Sequence, residues 1–220
     1  MPTPHPEPAP RLRTARLVLR RFTPADLPAV TALCGDPRVM RYLDDGRPVP
    51  AERVAAEVLP AVLREYAELP EGLGRWAVEA DSRFLGWAAL RPADSVGLEH
   101  GPNGGLELGY RLLPSTWGRG YATEAAAALL AAAFTERYAG RRAERVVATT
   151  MTVNTASRRV LERIGLRHVR TFFADWPDPI PGSELGDVVY ELTRADRPRV
   201  DRPRTDRDRQ QDRQRDRQQG

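Results

Sequence analysis

Leu106-Glu-Leu-Gly-Tyr-Arg-Leu-Leu-Pro-Ser-Thr-Trp-Gly-Arg-Gly-Tyr-Ala-Thr-Glu-Ala126 predicts a strand, a tight glycine turn and an alanine-rich helix that runs to about Tyr138. In this order the first backbone N–H groups of the helix have no partner, and the positive end of the helix dipole lies behind them. Such a terminus binds anions, most often phosphate. Gly118 and Gly120 favour this interpretation, because a Cβ would hinder close backbone approach and would penalise positive φ.

The chain contains no lysine, since all 34 basic residues are arginine, and this excludes several phosphate-binding classes. A nucleotide-triphosphate P-loop requires the lysine of G-x-x-x-x-G-K-[ST], and pyridoxal phosphate requires a lysine for its Schiff base. A dinucleotide fingerprint requires a third glycine at the place of Thr123 and an early βαβ unit, and the chain has neither. The loop therefore fits a cofactor whose pyrophosphate is bound here and whose reacting group lies elsewhere.

Three motifs together resemble the GNAT superfamily of acetyl-CoA-dependent N-acetyltransferases. The first, Trp117-Gly-Arg-Gly-Tyr-Ala122, is similar to the [QR]-x-x-G-x-[GA] pyrophosphate loop, with Gly120 and Ala122 at the two small-residue places. Tryptophan at the first place resembles the Rim-type branch, which acetylates the N-termini of ribosomal proteins and usually reads W-G-[KR]-G-Y-A-T-E-A. Two further motifs resemble the same branch, Leu12-Arg-Thr-Ala-Arg-Leu-Val-Leu-Arg-Arg-Phe22 and Asn154-Thr-Ala-Ser-Arg-Arg-Val-Leu-Glu-Arg-Ile-Gly165. The resemblance covers roughly residues 12–193.

The resemblance implies acetyl-CoA as cosubstrate. The residues expected to bind it are Tyr110, Arg111, Leu112, Gly118, Arg119, Gly120, Tyr121, Ala122, Thr123 and Asn154. The backbone of the first three would pair with the pantetheine arm, like an added strand, where the motif strand diverges from the next strand. A bulge at Gly109 would open this gap. The glycine loop would bind the pyrophosphate, and Asn154 would bond the cofactor amides, cap its helix, or do both.

Glu107 and Ser157 are the catalytic candidates. Related enzymes carry a carboxylate facing the amine at the place of Glu107, often acting through water; the alternative is a solvent-facing strand glutamate. Glu124 is a second candidate for the base, but its position in the first turn of a helix, where a carboxylate stabilises the helix dipole, is a sufficient reason for its presence. Many family members have a tyrosine where this chain has Leu161. Ser157 would instead donate a hydrogen bond to the departing thiolate, although an ordinary helix-face serine is the alternative and a hydroxyl is too weak an acid to be the proton source.

The acceptor implied by the resemblance is a primary amine, with a protein N-terminal α-amine favoured by motif likeness. A small-molecule amine (a polyamine, an aminoglycoside or an amino-acid-like compound) is the alternative, and the missing tyrosine keeps a non-catalytic acyl-CoA-binding module open. An α-amine is roughly 10–20% neutral at pH 7 and a lysine amine below about 0.1%, so an α-amine tolerates a weaker base. The aromatic candidates for acceptor-site walls are Tyr42, Trp87, Tyr110, Trp117 and Trp176.

Composition predicts one domain over residues 12–193 between disordered ends. Residues 1–11 are rich in proline, and residues 194–220 repeat Asp-Arg and Gln-Arg, so neither end buries enough apolar surface to fold. The tail accounts for the whole net charge of +4 and has no aromatic residue, so nucleic acid is not an expected partner.

No apolar run approaches the ~18 residues of a membrane span. The single cysteine fits a cytoplasmic protein, for which we expect a monomer or a homodimer.

The predicted elements follow the order β-αα-βββ-α-β-α-ββ, an α/β fold with a mixed seven-stranded sheet flanked by helices, as in GNAT proteins. The first strand is expected at residues 16–21, and residues 75–80 and 84–91 are expected to form a hairpin. A helix from about Ala51 to Tyr66 should be kinked or split by Pro60. No histidine has partners at metal-ligand spacing, so no metal is expected.

Overall fold

The computed structural model describes residues 11–96, 105–138, 140, 142–173 and 178–196. Within them, one sheet has the order β1-β2-β3-β4-β5-β6-β8-β7. Its strands are β1 (Arg11–Arg13), β2 (Val18–Arg20), β3 (Gly74–Ala80), β4 (Arg83–Pro92), β5 (Leu106–Leu112), β6 (Arg145–Met151), β7 (Arg167–Phe172) and β8 (Asp187–Thr193). All neighbouring strands are antiparallel except β5 and β6. The α/β fold class is confirmed.

The sheet has eight strands where the sequence predicted seven. The predicted first strand begins at Val18, and the residues before it form an additional strand, β1, that pairs with β2 from Arg11↔Arg20 to Arg13↔Val18. Thr14 closes the turn between them, since its backbone N–H donates to the Leu17 carbonyl at 3.0 Å. The proline-rich segment and most of the arginine-rich tail lie outside the described residues.

Six helices flank the described sheet: α1 (Leu27–Cys34), α2 (Pro37–Met40), α3 (Ala51–Arg53), α4 (Leu59–Glu68), α5 (Tyr121–Thr135) and α6 (Thr155–Arg163). One π-helical turn, Val54–Val58, joins α3 to α4. Pro60 lies in the first turn of α4, where its missing N–H and its ring are tolerated. The predicted kink or split of this helix thus takes the form of a π-helical turn just before Pro60, and the helical residues run without a break from Ala51 to Glu68.

Side chains of alternate residues along the central strands face two separate helical layers. Leu108 of β5 packs into the main core with residues of α5 and α6. Ala77 of β3 and Trp87 of β4 pack on the opposite face with Val30, Cys34, Val54 and Val62, which belong to α1, to α4 or to the π-helical turn between α3 and α4. Because Trp87 pairs with Arg111, the odd-numbered side chains of β5 face the layer of α1–α4.

The parallel strands β5 and β6 diverge soon after they begin. Their register is limited to Leu106↔Val146 and Glu107↔Val147. Each strand is instead held along its length by its outer neighbour, β5 by β4 and β6 by β8. A wedge-shaped gap between β5 and β6 follows, and it opens toward the start of α5.

The glycine that the β4–β5 pair requires is Gly86 rather than Gly109. The register between these strands is continuous through Gly109, so the predicted bulge there is wrong. Gly86 has a φ of 144°, and a Cβ on it would lie 2.2 Å from the carbonyl oxygen of Arg111. No side chain fits there, and the close approach of the two backbones depends on this glycine.

Candidate active site

An exposed glycine loop leads from β5 into α5. Gly118 and Gly120 have φ values of 74° and 78°, a left-handed conformation that glycine adopts without strain. Gly120 is the N-cap of α5 and provides no side-chain cap, so the N–H groups of Tyr121, Ala122 and Thr123 have no partner within the helix. A Cβ on Gly118 would meet nothing within 4 Å. The loop therefore presents open space in front of a helix N-terminus that can bind an anion.

Trp117 and Glu124 fix the two ends of this loop. The indole Nε1–H of Trp117 donates to the carbonyl oxygen of Leu112 at 2.8 Å, which ties the loop to the end of β5. Glu124 accepts from Nε of Arg16 at 2.6 Å and from the Arg16 backbone N–H at 2.9 Å. Burial alone would raise the pKa of Glu124, but its hydrogen bonds to Thr14 and Arg16 outweigh burial and lower that pKa. Glu124 thus joins the β1–β2 turn to α5 as a paired carboxylate, a geometry that fits anchoring rather than proton transfer.

The backbone of β5 alternates between its two neighbours. Leu113 donates to Leu85 at 2.8 Å and Ala93 donates to Gly105 at 2.9 Å, so odd-numbered residues of β5 bond to β4. The carbonyl of Leu108, both backbone groups of Tyr110 and the N–H of Leu112 consequently point toward the gap, while the Leu112 carbonyl accepts from Trp117. The backbone of Arg111 pairs with β4, so the expectation that it pairs with the pantetheine arm is wrong. Since the pairing with β6 ends at Glu107, this edge can accept an added strand-like ligand.

Glu107 is buried, with 7% of its surface exposed. Arg91 lies opposite it on β4, and Nη2 and Nε of Arg91 contact the same oxygen, Oε2 of Glu107, at 2.9 and 3.2 Å. The other oxygen, Oε1, points at Gly109, where a Cβ would come within 3.1 Å of it. Gly109 therefore leaves room for the carboxylate. The alternative of a solvent-facing strand glutamate is wrong, because this side chain lies beneath the layer of α1–α4.

Two further arginines lie on the same face, on either side of Trp87. The guanidinium carbons of Arg75 and Arg111 lie 5.6 and 5.4 Å from the centre of the Trp87 ring. Arg75 is paired with Glu65 at 2.6 Å. Nη1 of Arg111 contacts the thioether sulfur of Met40 at 3.4 Å, and the Arg111 side chain also hydrogen-bonds the Cys34 thiol. The buried Nε of Arg111 has no hydrogen-bond partner.

Ser157 lies in the first turn of α6, where it contacts Tyr110 of β5. The phenolic oxygen of Tyr110 lies 3.0 Å from the carbonyl oxygen of Ser157 and 3.0 Å from its Oγ. Asn154 is the N-cap of α6, and its side-chain oxygen accepts from the backbone N–H of Ser157 at 3.2 Å. Burial raises the pKa of Tyr110 well above its ordinary value, so the phenol keeps its proton at neutral pH.

The predicted site residues fall into two groups on opposite faces of β5. The glycine loop, the side chain of Tyr110, Asn154 and Ser157 lie on the side of α5 and α6, whereas the side chains of Glu107 and Arg111 lie on the side of α1–α4. Among the aromatic candidates, Trp87 lies on the Glu107 face and Tyr42 lies in the loop after α2. Trp117 precedes the glycine loop with 49% of its surface exposed. Trp176 lies outside the described residues.

Sequence reasoning missed Arg75 and Arg91, and it assigned Arg111 by its backbone alone. A signal was present in β3, β4 and β5, because each places an arginine among mostly apolar residues. The three side chains meet only through the register of β3, β4 and β5, which the sequence does not state.

Over the part of the chain that the structure describes, no helix is long and apolar enough to cross a membrane. In those same residues, no group of three or more His, Cys, Asp or Glu side chains could hold a metal ion.

A family model described as Acetyltransferase (GNAT) domain matches residues 16–167. Among curated proteins, FsC-acetyl coenzyme A-N(2)-transacetylase of Aspergillus fumigatus is 36% identical over 191 residues, which are 85% of this chain and 77% of that protein.

Two solved structures illustrate the likeness of fold. The acetyltransferase of Agrobacterium tumefaciens str. C58 is 27% identical with a TM-score of 0.59, over 88% of this chain and 100% of that one. RimJ of Mycobacterium smegmatis, solved in complex with CoA-disulfide, is 20% identical with a TM-score of 0.66, over 83% of this chain and 84% of that one.

Proposed function

This chain belongs to the GNAT acetyltransferase family, and we propose that it transfers the acetyl group of acetyl-CoA to a primary α-amine by direct attack. The observation that carries the proposal is the course of β5. This strand leaves β6 after Glu107, keeps backbone groups of Tyr110 free along the gap, and is joined to the glycine loop of α5 by one short turn, Pro114–Thr116. A ligand with a pyrophosphate at one end and two amide groups in its arm matches this path.

Binding of acetyl-CoA would use the loop and the β5 edge in succession. The N–H groups of Tyr121, Ala122 and Thr123, with the α5 dipole behind them, would hold the pyrophosphate. The carbonyl of Leu108, the backbone of Tyr110 and the N–H of Leu112 would pair with the pantetheine amides, and one of the two free N–H groups would face the developing oxyanion. Arg16, whose Nη2 lies 3.5 Å from the Cβ position of Gly120, adds a positive charge beside the pyrophosphate.

In the transfer step, the neutral amine nitrogen attacks the acetyl carbonyl carbon, and the bond from that carbon to sulfur breaks. The proton of the attacking amine passes to Glu107, directly or through water, by way of Oε1, because Arg91 already binds Oε2. The sulfur leaves as a thiolate and later takes a proton from solvent. Ser157 would stabilise the thiolate as a hydrogen-bond donor.

We favour a protein N-terminal α-amine as the acceptor, because the sequence of the glycine loop resembles that of the Rim-type branch. A small-molecule amine is the second candidate, because the relative that is 36% identical is named for transfer to N(2) of FsC. The α-amine of a peptide has a pKa of about 8, close enough to neutrality to need only a weak base.

The test is thiol release from acetyl-CoA by the purified chain, with mass-spectrometric identification of the acetylated product. The amines are peptides with free N-termini, N-blocked lysine peptides, amino acids, polyamines and aminoglycosides. We expect turnover with α-amines and little with lysine side chains. Thiol release that no amine raises above background would contradict the proposal.

A further inference from the structure

The face of β3–β5 that carries Glu107 holds more positive than negative charge. Arg75, Arg91 and Arg111 approach it, while the carboxylates nearest to them are Glu65 and Glu107. Glu65 forms an ion pair with Arg75 at 2.6 Å, and Glu107 forms one with Arg91 at 2.9 Å. No carboxylate among the described residues lies within ion-pair distance of Arg111.

The electrostatics of neighbouring groups agree with this excess. Burial lowers the pKa of Arg75, and the charges of Arg91 and Arg111 lower it further against the opposing effect of Glu65 and Glu107. The Cys34 thiol is the titratable group in contact with Arg111. Burial raises the pKa of Cys34, against the lowering effects of the Arg111 charge and of a hydrogen bond with the Arg111 side chain. Cys34 is a neutral partner, so it leaves the charge of Arg111 unbalanced, and Asp44, in the loop after α2, forms no ion pair with Arg111.

Within the described part of the chain, the Arg111 guanidinium lacks both a carboxylate partner and a full set of hydrogen-bond acceptors. Its buried Nε has no hydrogen-bond partner, and a thioether such as Met40 is a weak acceptor. Buried polar groups are almost always paired, and an unpaired one calls for a missing partner. A guanidinium beside an aromatic ring presents a planar fork that matches a carboxylate with two parallel hydrogen bonds.

The position of Arg111 indicates which molecule would bring the carboxylate. Acetyl-CoA places its phosphates at α5, on the other face of the sheet, so they do not reach Arg111. On the α1–α4 face, Glu107, Gly109 and Arg111 follow each other at two-residue steps along β5, and Trp87 lies 3.5 Å from the Cβ position of Gly109. Glu107 and Arg111 thus lie on the same face of β5, on either side of Gly109 and beside Trp87.

Resting on the proposed function, we propose that the acceptor amine carries a carboxylate, which Arg111 binds beside Trp87 while Glu107 faces the amine. The surplus of one guanidinium charge matches one carboxylate. The carboxylate belongs either to a free amino acid, on the carbon that bears the amine, or to the side chain of an acidic first residue of a peptide. The two sources share this chemistry, and the assay separates them.

The experiment compares kcat/KM for matched acceptors in two arms. One arm uses amino acids and their amides, and the other uses C-terminally amidated peptides that begin with Asp or Glu and with Asn or Gln. We expect the carboxylate member to be favoured by at least about tenfold in one arm, as for a charge-assisted bidentate contact. Amidation of an amino acid lowers the pKa of its amine, which favours the amide at neutral pH, so basicity does not explain such a preference.

Variants locate the preference in the structure. In Arg111→Gln the ratio between the carboxylate and the amide acceptor should fall to about one, and Arg111→Lys should retain part of it. The matched control is Arg83→Gln at an exposed position of β4, which should keep the wild-type ratio. If Arg111→Gln does not fold, calorimetry of wild-type protein with CoA and unreactive hydroxy acids, compared with their amides, tests the same contact.

The outcomes separate the two claims. Turnover of amines without preference for a carboxylate, or with preference for O-phosphoethanolamine, would overturn this inference and leave acetyl transfer intact. A preference that survives in Arg111→Gln would also overturn it. No turnover of any amine would instead contradict the proposed function.

Discussion

The phenolic oxygen of Tyr110 lies 3.0 Å from both the carbonyl oxygen and Oγ of Ser157. This contact joins β5 to the helix that follows β6, across the two strands between which acetyl-CoA is proposed to bind. Either oxygen can be the donor in the contact between the phenol and Oγ. When the phenol donates its one proton to Oγ, the proton of the Ser157 hydroxyl is left for the departing thiolate. Ser157 and Tyr110 therefore form one hydrogen-bonded unit.

The first prediction is that Ser157→Ala and Tyr110→Phe each lower kcat by about tenfold, because either change breaks the unit that stabilises the thiolate. Since the two groups act together, the double variant should lose little more than one single variant. Steady-state kinetics at saturating acetyl-CoA measure this. Losses that multiply in the double variant would show that the serine acts independently.

The second prediction is that Glu107→Gln lowers kcat/KM by about 10²-fold or more, because the amine loses its proton acceptor. Removal of Glu107 also leaves Arg91 buried and unpaired, so Arg91→Met is the control for the broken ion pair. We expect Arg91→Met to lose less activity than Glu107→Gln. Equal losses would mean that Glu107 serves only to neutralise Arg91.

The third prediction separates backbone strain from ligand binding in the glycine loop. Gly120→Val and Gly140→Val both force a branched residue into a left-handed conformation, with φ of 78° and 82°, at a cost of about 1–2 kcal/mol of folding free energy. Only Gly120→Val should weaken CoA binding, by about tenfold or more. Calorimetric titration with CoA measures the difference, and equal affinities of the two variants would remove the loop from the binding site.

The fourth prediction concerns Trp117, which replaces the glutamine or arginine of the usual loop. Trp117→Phe keeps the ring but removes the 2.8 Å hydrogen bond to Leu112. We expect KM for acetyl-CoA to rise about threefold to tenfold with kcat largely retained, because the loop is less well positioned. A change confined to kcat would contradict a role in cofactor binding.

The fifth prediction is a pH dependence of stability that involves Asp26. Arg20 contacts Asp26 at 2.7 Å and Glu79 at 2.6 Å. Burial would raise the pKa of Asp26, but hydrogen bonds from Arg20 and Thr23 outweigh it and lower the pKa below 3.8. A lowered carboxylate pKa contributes stability above the unfolded value that is lost as pH falls through the folded value.

Asp26→Asn should therefore lower the free energy of unfolding at pH 7 by about 2–3 kcal/mol. The difference from wild type should shrink below pH 3.8, the ordinary value for this carboxyl. Urea unfolding at several pH values measures it, with the exposed Glu57→Gln as a control that should show no change. A difference that stays constant with pH would contradict the assigned ion pair.

Local chemistry made the strand, loop and helix at residues 106–126 predictable. Their signals are short-range: Gly118 and Gly120 for a left-handed turn, alanines for the helix, and Pro60 for the irregular helix over residues 51–68. The hairpin at Asp81 and Ser82 was predictable for the same reason, and both residues have positive φ, of 47° and 59°.

Contacts between strands were not predictable from local pattern. The pairing of Arg91 with Glu107 depends on the register of β4 and β5, and the place of Arg111 beside Trp87 depends on the same register. The requirement for glycine at position 86 comes from the close backbone of Arg111 on β5, which the local sequence does not indicate. Tyr110 was assigned by its backbone, and its contact with Ser157 needs the three-dimensional course of α6.

The most direct test of the central claim is the structure of this chain with CoA bound. We predict pyrophosphate oxygens within hydrogen-bond distance of the N–H groups of Tyr121, Ala122 and Thr123. We also predict pantetheine amides paired with the β5 backbone between the Leu108 carbonyl and the Leu112 N–H. CoA bound away from the α5 terminus, or a gap between β5 and β6 that stays free of pantetheine, would contradict the account.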